Sequence, residues 1–95
     1  MIERHVTFDV HPEKSSEFVD FFTRFYRPAM AAMPGYIKAD LLQDHECATS
    51  FQMVIRFENA ETAAGWRSSE AHREFSPRLK AMHSGSHLQV YEVVA

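Results

Sequence analysis

The chain has 95 residues, 45% hydrophobic, 24% charged and 13% aromatic, with a formal net charge of −3 at pH 7. That length suits one small domain, residues 1–95, whose surface is large for its volume, so a partner subunit is an expected source of further stability. The acidic balance with scattered bases excludes a general nucleic-acid binder, and no apolar run approaches the roughly 20 residues of a membrane span.

The N-terminus "MIERHVTFDV" lacks the basic-then-apolar order of a signal peptide. A lone cysteine, Cys47, permits neither an intrachain disulfide nor a cysteine zinc cage. A soluble cytoplasmic protein without nucleic-acid or membrane partners is therefore expected.

Residues 2–10 alternate Ile2, Arg4, Val6, Phe8 and Val10 with Glu3, His5, Thr7 and Asp9, the period of a strand. In "HPEKSSEFVDFFTRFYRPAMAAM", Pro12 suits a first helical turn and Phe18, Phe22, Phe25 and Ala29 recur at helical spacing, which predicts a long amphipathic helix disturbed near Pro28. Pro34 and Gly35 break it, and "YIKADLLQD" reads as a second strand. After a turn at "DHE", residues 48–58 alternate Phe51, Met53, Ile55 and Phe57 with Gln52, Val54, Arg56 and Glu58, a third strand in hairpin with the second.

"NAETAAGW" opens a second helix that Asn59 can cap, and Ser68 or Ser69 can cap a further helical piece with Glu70 near its positive end. "SGSH" is expected to end that piece. "HLQVYEVVA" closes the chain as a fourth strand with Leu88, Val90 and Glu92 on one face and His87, Gln89, Tyr91 and Val93 on the other. The order β-α-β-β-α-β is the ferredoxin-like arrangement, an α+β fold with a four-stranded antiparallel sheet and helices on one face. The opposite face is expected to carry Ile37, Ala39 and Leu41, or their alternates Tyr36 and Leu42, with Val54, Tyr91 and Val93. A second copy packed sheet on sheet is the expected cover, giving a homodimer.

With this order, "HPEKSSEFVDFF", "MPGYIKADLLQD" and "FQMVIRFENAETAAGWRSSEAHREFSPRL" together resemble the antibiotic biosynthesis monooxygenase (ABM) domain family, small members of the dimeric α+β barrel superfamily. The resemblance spans nearly the whole chain. It implies a dimer whose sheets face each other, with a pocket between sheet and helices in each subunit. It also implies two activities: oxidation of phenolic or anthrone-type compounds by O₂ without metal or organic cofactor, or heme degradation. The heme-degrading members pair a first-strand asparagine and a helix-two tryptophan with an iron-ligating histidine ten positions later. Here the tryptophan falls on Trp66, the first strand "RHVTFDV" holds no asparagine, and the position ten beyond Trp66 is Ser76. His72 lies one turn earlier, about 5.4 Å away along a helix, too far to replace that ligand unless the heme moves.

Trp66 can be core filler or an aromatic platform for a planar substrate. His72 shares a helical edge with Phe75, Leu79 and Met82, which points the imidazole inward unless Pro77 loosens the helix. An imidazole is a natural acceptor for a proton from a phenol or an acidic C–H. His72 and Trp66 are thus the candidate catalytic pair, with Phe22, Tyr26 and Phe75 as candidate substrate contacts and Arg56, Tyr26 and Tyr91 as candidate donors to an oxyanion. Arg56 falls on the strand face opposite Ile55 and Phe57, where a surface or interface charge is the plainer account.

His83 and His87 lie in "HSGSH", a Gly-interrupted turn unsuited to helical metal ligation. No phosphate loop, nucleophile elbow or paired-carboxylate motif occurs. The expected function is a cofactor-independent, metal-free monooxygenase acting with O₂ on a small aromatic or quinol-like molecule. The competing expectation is a non-catalytic small-molecule-binding or stress-associated dimeric module, with heme degradation behind both.

Overall fold

The computed structural model describes residues 1–95. Strand β1 (Ile2–Val10) leads through a 3₁₀ turn (Pro12–Lys14) into α1 (Ser15–Phe21), a π-helical segment (Phe22–Tyr26) and α2 (Arg27–Ala31). Strands β2 (Tyr36–Gln43) and β3 (Ser50–Phe57) follow, then α3 (Ala60–Arg67), α4 (Glu70–Ala81) and β4 (His83–Glu92). The four strands form one antiparallel sheet in the order β2-β3-β1-β4, the ferredoxin-like α+β topology read from the sequence. Ile2, Arg4, Val6 and Phe8 of β1 face the helices together with Phe57, Ile55, Met53 and Phe51 of β3. No helix is long and apolar enough to cross a membrane.

The first helical stretch differs from its predicted phase. Pro28 has no amide proton, and its ring collides with the carbonyl four residues back, so an ordinary α-helix cannot run through it. The chain widens one turn instead: the Arg27 N–H donates to the Phe22 carbonyl, five residues back. That extra residue shifts the buried stripe by one, from Phe18, Phe21 and Phe22 to Tyr26 and Met30 rather than to Phe25 and Ala29. Phe25 is 41% exposed, with the Arg78 guanidinium 5.2 Å from its ring centroid.

Two further expectations change. The β2–β3 register slips between Tyr36 and Lys38, so Ala39 and Leu41 oppose Ile55 and Met53 on the helix-covered face. Tyr36 packs edge-on to Phe57, also on that side. The open face therefore carries Lys38, Asp40 and Leu42 from β2, not Ala39 and Leu41. The "HSGSH" stretch is strand rather than turn, with His83 opposite Val10 and Ser86 opposite Phe8 across a bulge. An edge strand needs pairing on one side only, and space around Gly85 is open, so small residues are accommodated there.

The predicted caps form. The Asn59 side chain accepts from the Thr62 amide at 2.9 Å, and Ser69 Oγ accepts from the His72 amide at 3.2 Å. Gly35 takes φ +79° at the turn into β2, where a Cβ would lie 2.5 Å from Thr62.

Candidate active site

A cavity of about 190 Å³ lies between the sheet and the second helical pair. Its floor is Val6 and Phe8 of β1 with Met53 and Ile55 of β3. Trp66 and Arg67 close one side from the end of α3, and His72, Ser76, Leu79 and Lys80 close another from α4. Tyr26 enters from the π-helical segment, Arg4 from β1, and His83 and Ser86 from the start of β4.

Three rings form its aromatic corner. Trp66 stands edge-on to His72, 5.4 Å between centroids and 88° between planes, and edge-on to Tyr26 at 5.4 Å and 86°. His72 lies 6.4 Å from Tyr26. Ser69, in the break between α3 and α4, sets this corner: its hydroxyl donates to the Trp66 carbonyl at 2.6 Å and accepts from the His72 amide at 3.2 Å. Ser76, one turn further, donates to the His72 carbonyl at 2.8 Å.

The electrostatics favour a neutral imidazole. Burial lowers the His72 pKa below its ordinary 6.5, and the Arg4 and Arg67 guanidinium groups push it the same way. Burial raises the Tyr26 phenol to about 12 against the opposing pulls of the Trp66 indole N–H and the Arg4 charge, so it stays protonated as a donor. Burial also lowers His83, whose ring packs 4.9 Å from Phe8.

Of the residues singled out from sequence, His72, Trp66 and Tyr26 line the cavity. Phe75 lies behind the wall, 6.3 Å from Tyr26 and edge-on to Phe21, and Phe22 is buried in the core beneath the Arg27 guanidinium. Neither lines the cavity, because the π-helical turn puts Tyr26 forward and leaves both phenylalanines to support it. Arg56 and Tyr91 lie on the opposite face of the sheet. Arg56 donates to Glu3 Oε1 at 2.7 and 3.0 Å, and Tyr91 packs on His5, whose Nε2 is 3.0 Å from Glu3 Oε2. Strand alternation places them there, and they cannot reach a ligand in the cavity.

Arg4, His83, Arg67 and Lys80 were not singled out as site residues. Arg4 left a signal, being the one charge on the otherwise apolar face of the first strand. His83 was obscured by the turn-like composition around it. His83 and His87 point to opposite faces of β4, so they cannot share a metal, and no group of three or more His, Cys, Asp or Glu side chains is placed to hold one.

The sequence profile of the antibiotic biosynthesis monooxygenases matches residues 1–78. The chain belongs to the antibiotic biosynthesis monooxygenase family. Over 86 residues it is 29% identical to the 42.8 kDa protein in the whiE locus of Streptomyces coelicolor, and likewise to protein SchA of Streptomyces halstedii. Those alignments cover 90% of this chain but only 21% and 22% of the relatives, so this ABM chain spans about a fifth of the length of the curated relatives it matches. Among solved structures, the fold is similar to that of SnoaB, a cofactor-independent oxygenase from Streptomyces nogalater. The TM-score is 0.88 at 17% identity, covering 99% of this chain and 93% of that one. It is also similar to PA3566 from Pseudomonas aeruginosa, with a TM-score of 0.83 at 17% identity, covering 99% and 94%.

Within the ABM frame, a heme is a poor fit to these residues. Ser76, ten positions after Trp66, offers a hydroxyl already donated to the His72 carbonyl, and His72 is packed against Trp66 in a cavity of about 190 Å³.

Proposed function

We propose that this ABM chain is a cofactor-independent monooxygenase that oxidises a small phenolic or quinol-like aromatic with O₂. The observation that carries the proposal is the His72 imidazole packed edge-on to Trp66 and beside Tyr26 in a largely apolar cavity, where burial lowers its pKa and so favours the neutral base. The volume, about 190 Å³, is small beside the roughly 300–1,000 Å³ of drug-sized ligand sites and favours a compact substrate.

The chemistry follows from placing a planar phenol in that corner. Neutral His72 takes the proton from the phenol or its keto tautomer, and the resulting anion receives a hydrogen bond from the Tyr26 hydroxyl, whose oxygen the Trp66 indole N–H polarises. The electron-rich anion gives one electron to O₂. Recombination of the radical pair forms a C–O bond and leaves a peroxide, which takes the proton back from His72. Loss of the second hydrogen from that carbon, with cleavage of the O–O bond, leaves a carbonyl and water: a CH₂ group and O₂ become C=O and H₂O. The protein's part is the base, the Tyr26 donor backed by Trp66, and the exclusion of bulk water.

The test is oxygen uptake with an anthrone or hydroquinone substrate. His72→Ala is expected to lower the rate by about 10²-fold or more, the usual share of a general base, and Trp66→Phe to lower it less. Unchanged rates in both variants would remove the pair from the mechanism.

We also propose that the chain works as a homodimer. Leu42 and Tyr91 on the open sheet face are 50% and 45% exposed, and Leu88 and Val90 of edge strand β4 are 39% and 55% exposed. Sedimentation as a monomer at micromolar concentration would refute this.

A further inference from the structure

The geometry points to an anionic substrate: a small aromatic that carries a carboxylate, held by Arg4 at the sheet side of the cavity while its ring lies against Trp66 and Tyr26. The inference rests on the proposed cavity function and narrows its substrate class.

Arg4 sits on β1 among the inward residues Ile2, Val6 and Phe8. Its Nε is buried without a hydrogen-bond partner, and the guanidinium forms no salt bridge. Arg4 is half-buried, and a charged donor whose Nε has given up water and received no acceptor in return is costly. The cavity holds no acid to supply one: Arg4, Arg67 and Lys80 line it and no Asp or Glu does. The neighbouring strand positions give only hydrocarbon, Ile55 on one side and Val90 on the other.

The Glu3–Arg56 ion pair on the other face of the same strand shows the contrast, since there a guanidinium has its carboxylate in place. Arg4 is thus a fork of donors aimed into an apolar, aromatic chamber and missing its acid. A carboxylate matches that fork in charge and shape, and a flat ring matches the walls. Arg67 and Lys80 are exposed at the rim, where they draw an anion in without having to be desolvated.

The experiment uses Trp66, the chain's only tryptophan and a cavity wall, as its reporter. Fluorescence titration compares 2,5-dihydroxybenzoate with its neutral amide, two ligands of nearly equal size that share the quinol ring. The carboxylate is expected to bind at least about tenfold more tightly, and added salt to erode the difference. Arg4→Met should bring the carboxylate down to the affinity of the amide while leaving the amide unchanged, and Arg4→Lys should keep part of the preference.

If Arg4→Met does not fold, the salt titration of the wild type and the rim variant Arg67→Met, expected to weaken the carboxylate but not the amide, carry the test. Equal affinities in the wild type, or a preference that survives Arg4→Met, would overturn the inference. Oxygen uptake with unsubstituted hydroquinone separates the two proposals. Turnover without carboxylate preference refutes the anion site alone, and Arg4-dependent binding with no uptake from either quinol refutes the oxygenase alone.

Discussion

The Trp66 indole and the His72 imidazole meet at 88°, with 5.4 Å between ring centroids, across the break between α3 and α4. Each ring can therefore report on the other.

An imidazolium in contact with an indole quenches its emission, so Trp66 fluorescence should fall on acidification with a midpoint below 6.5, the side to which burial moves His72. His72→Ala should abolish that transition. The sign for stability is the same. His72 and His83 both have folded pKa values below their unfolded ones, so the unfolded chain binds more protons. Their stabilisation is present above the unfolded value of 6.5 and is lost as pH falls through the folded values. Thermal melts from pH 7.5 to 5 should show a falling Tm, with a smaller fall in His72→Gln; an identical fall would assign the effect elsewhere.

Ser69→Ala removes both the bond to the Trp66 carbonyl and the cap on the His72 amide. The loss should be about 1 kcal/mol, or about 4–8 °C in Tm for a domain of this size. Oxygen uptake should fall more than the melt explains, since the angle between the proposed base and platform is no longer fixed. A full rate in a destabilised Ser69→Ala protein would show that the pair needs no such clamp.

The widened turn at Phe22–Tyr26 holds one residue more than an α-helix needs. Deleting the exposed Thr23 should convert it to α-helix while leaving both flanks facing as before, a change that an ordinary helix would not survive. A folded deletion variant with native-like Trp66 emission is expected, and a molten one would contradict the phase argument. In the same segment Phe25→Ser should cost about 1 kcal/mol or less, whereas Tyr26→Ala should cost about 3 kcal/mol or more, checked by urea unfolding.

Gly35→Ala places a methyl 2.5 Å from Thr62 at a backbone φ of +79°. Thr62 is held in the capping box with Asn59, so it cannot yield without loosening the start of α3. A cost of about 2 kcal/mol or more is expected in chemical denaturation, from αL strain and the clash together.

Arg56→Ala should leave oxygen uptake unchanged, because its partner Glu3 lies on the open face of the sheet, remote from the cavity. The Glu3 carboxyl is held below its ordinary 4.5 by hydrogen bonds from His5 and then Arg56, so their contribution to stability is present above 4.5 and lost as pH falls through the lowered value. An activity loss comparable to that of His72→Ala would return Arg56 to the site.

The fold was legible because period-2 strands and capped helices are local signals: residues 2–10 and the caps at Asn59 and Ser69 follow directly from them. The departures share a different cause. A π-helical turn, the β2 slip and the β4 bulge each add one residue to a regular count, and everything beyond is then read one position out of phase. Tyr26, Ala39 and His83 moved for that reason. Arg4 was in plain view on an apolar strand face, but its lack of an acidic partner is a tertiary fact that spacing does not contain.

β1 is hydrogen-bonded along both edges, by β3 and by β4, whereas α3 and α4 are separate short helices joined at a break. The cavity thus has one stiff wall and one adjustable wall. Arg4 is mounted on the stiff one, Trp66 and His72 on the other, so under the proposed binding mode replacements along α3 and α4 would retune which ring is admitted while the anchoring charge stays put. On that proposal, changing a ligand's tail would require rebuilding the sheet, and changing its ring would not.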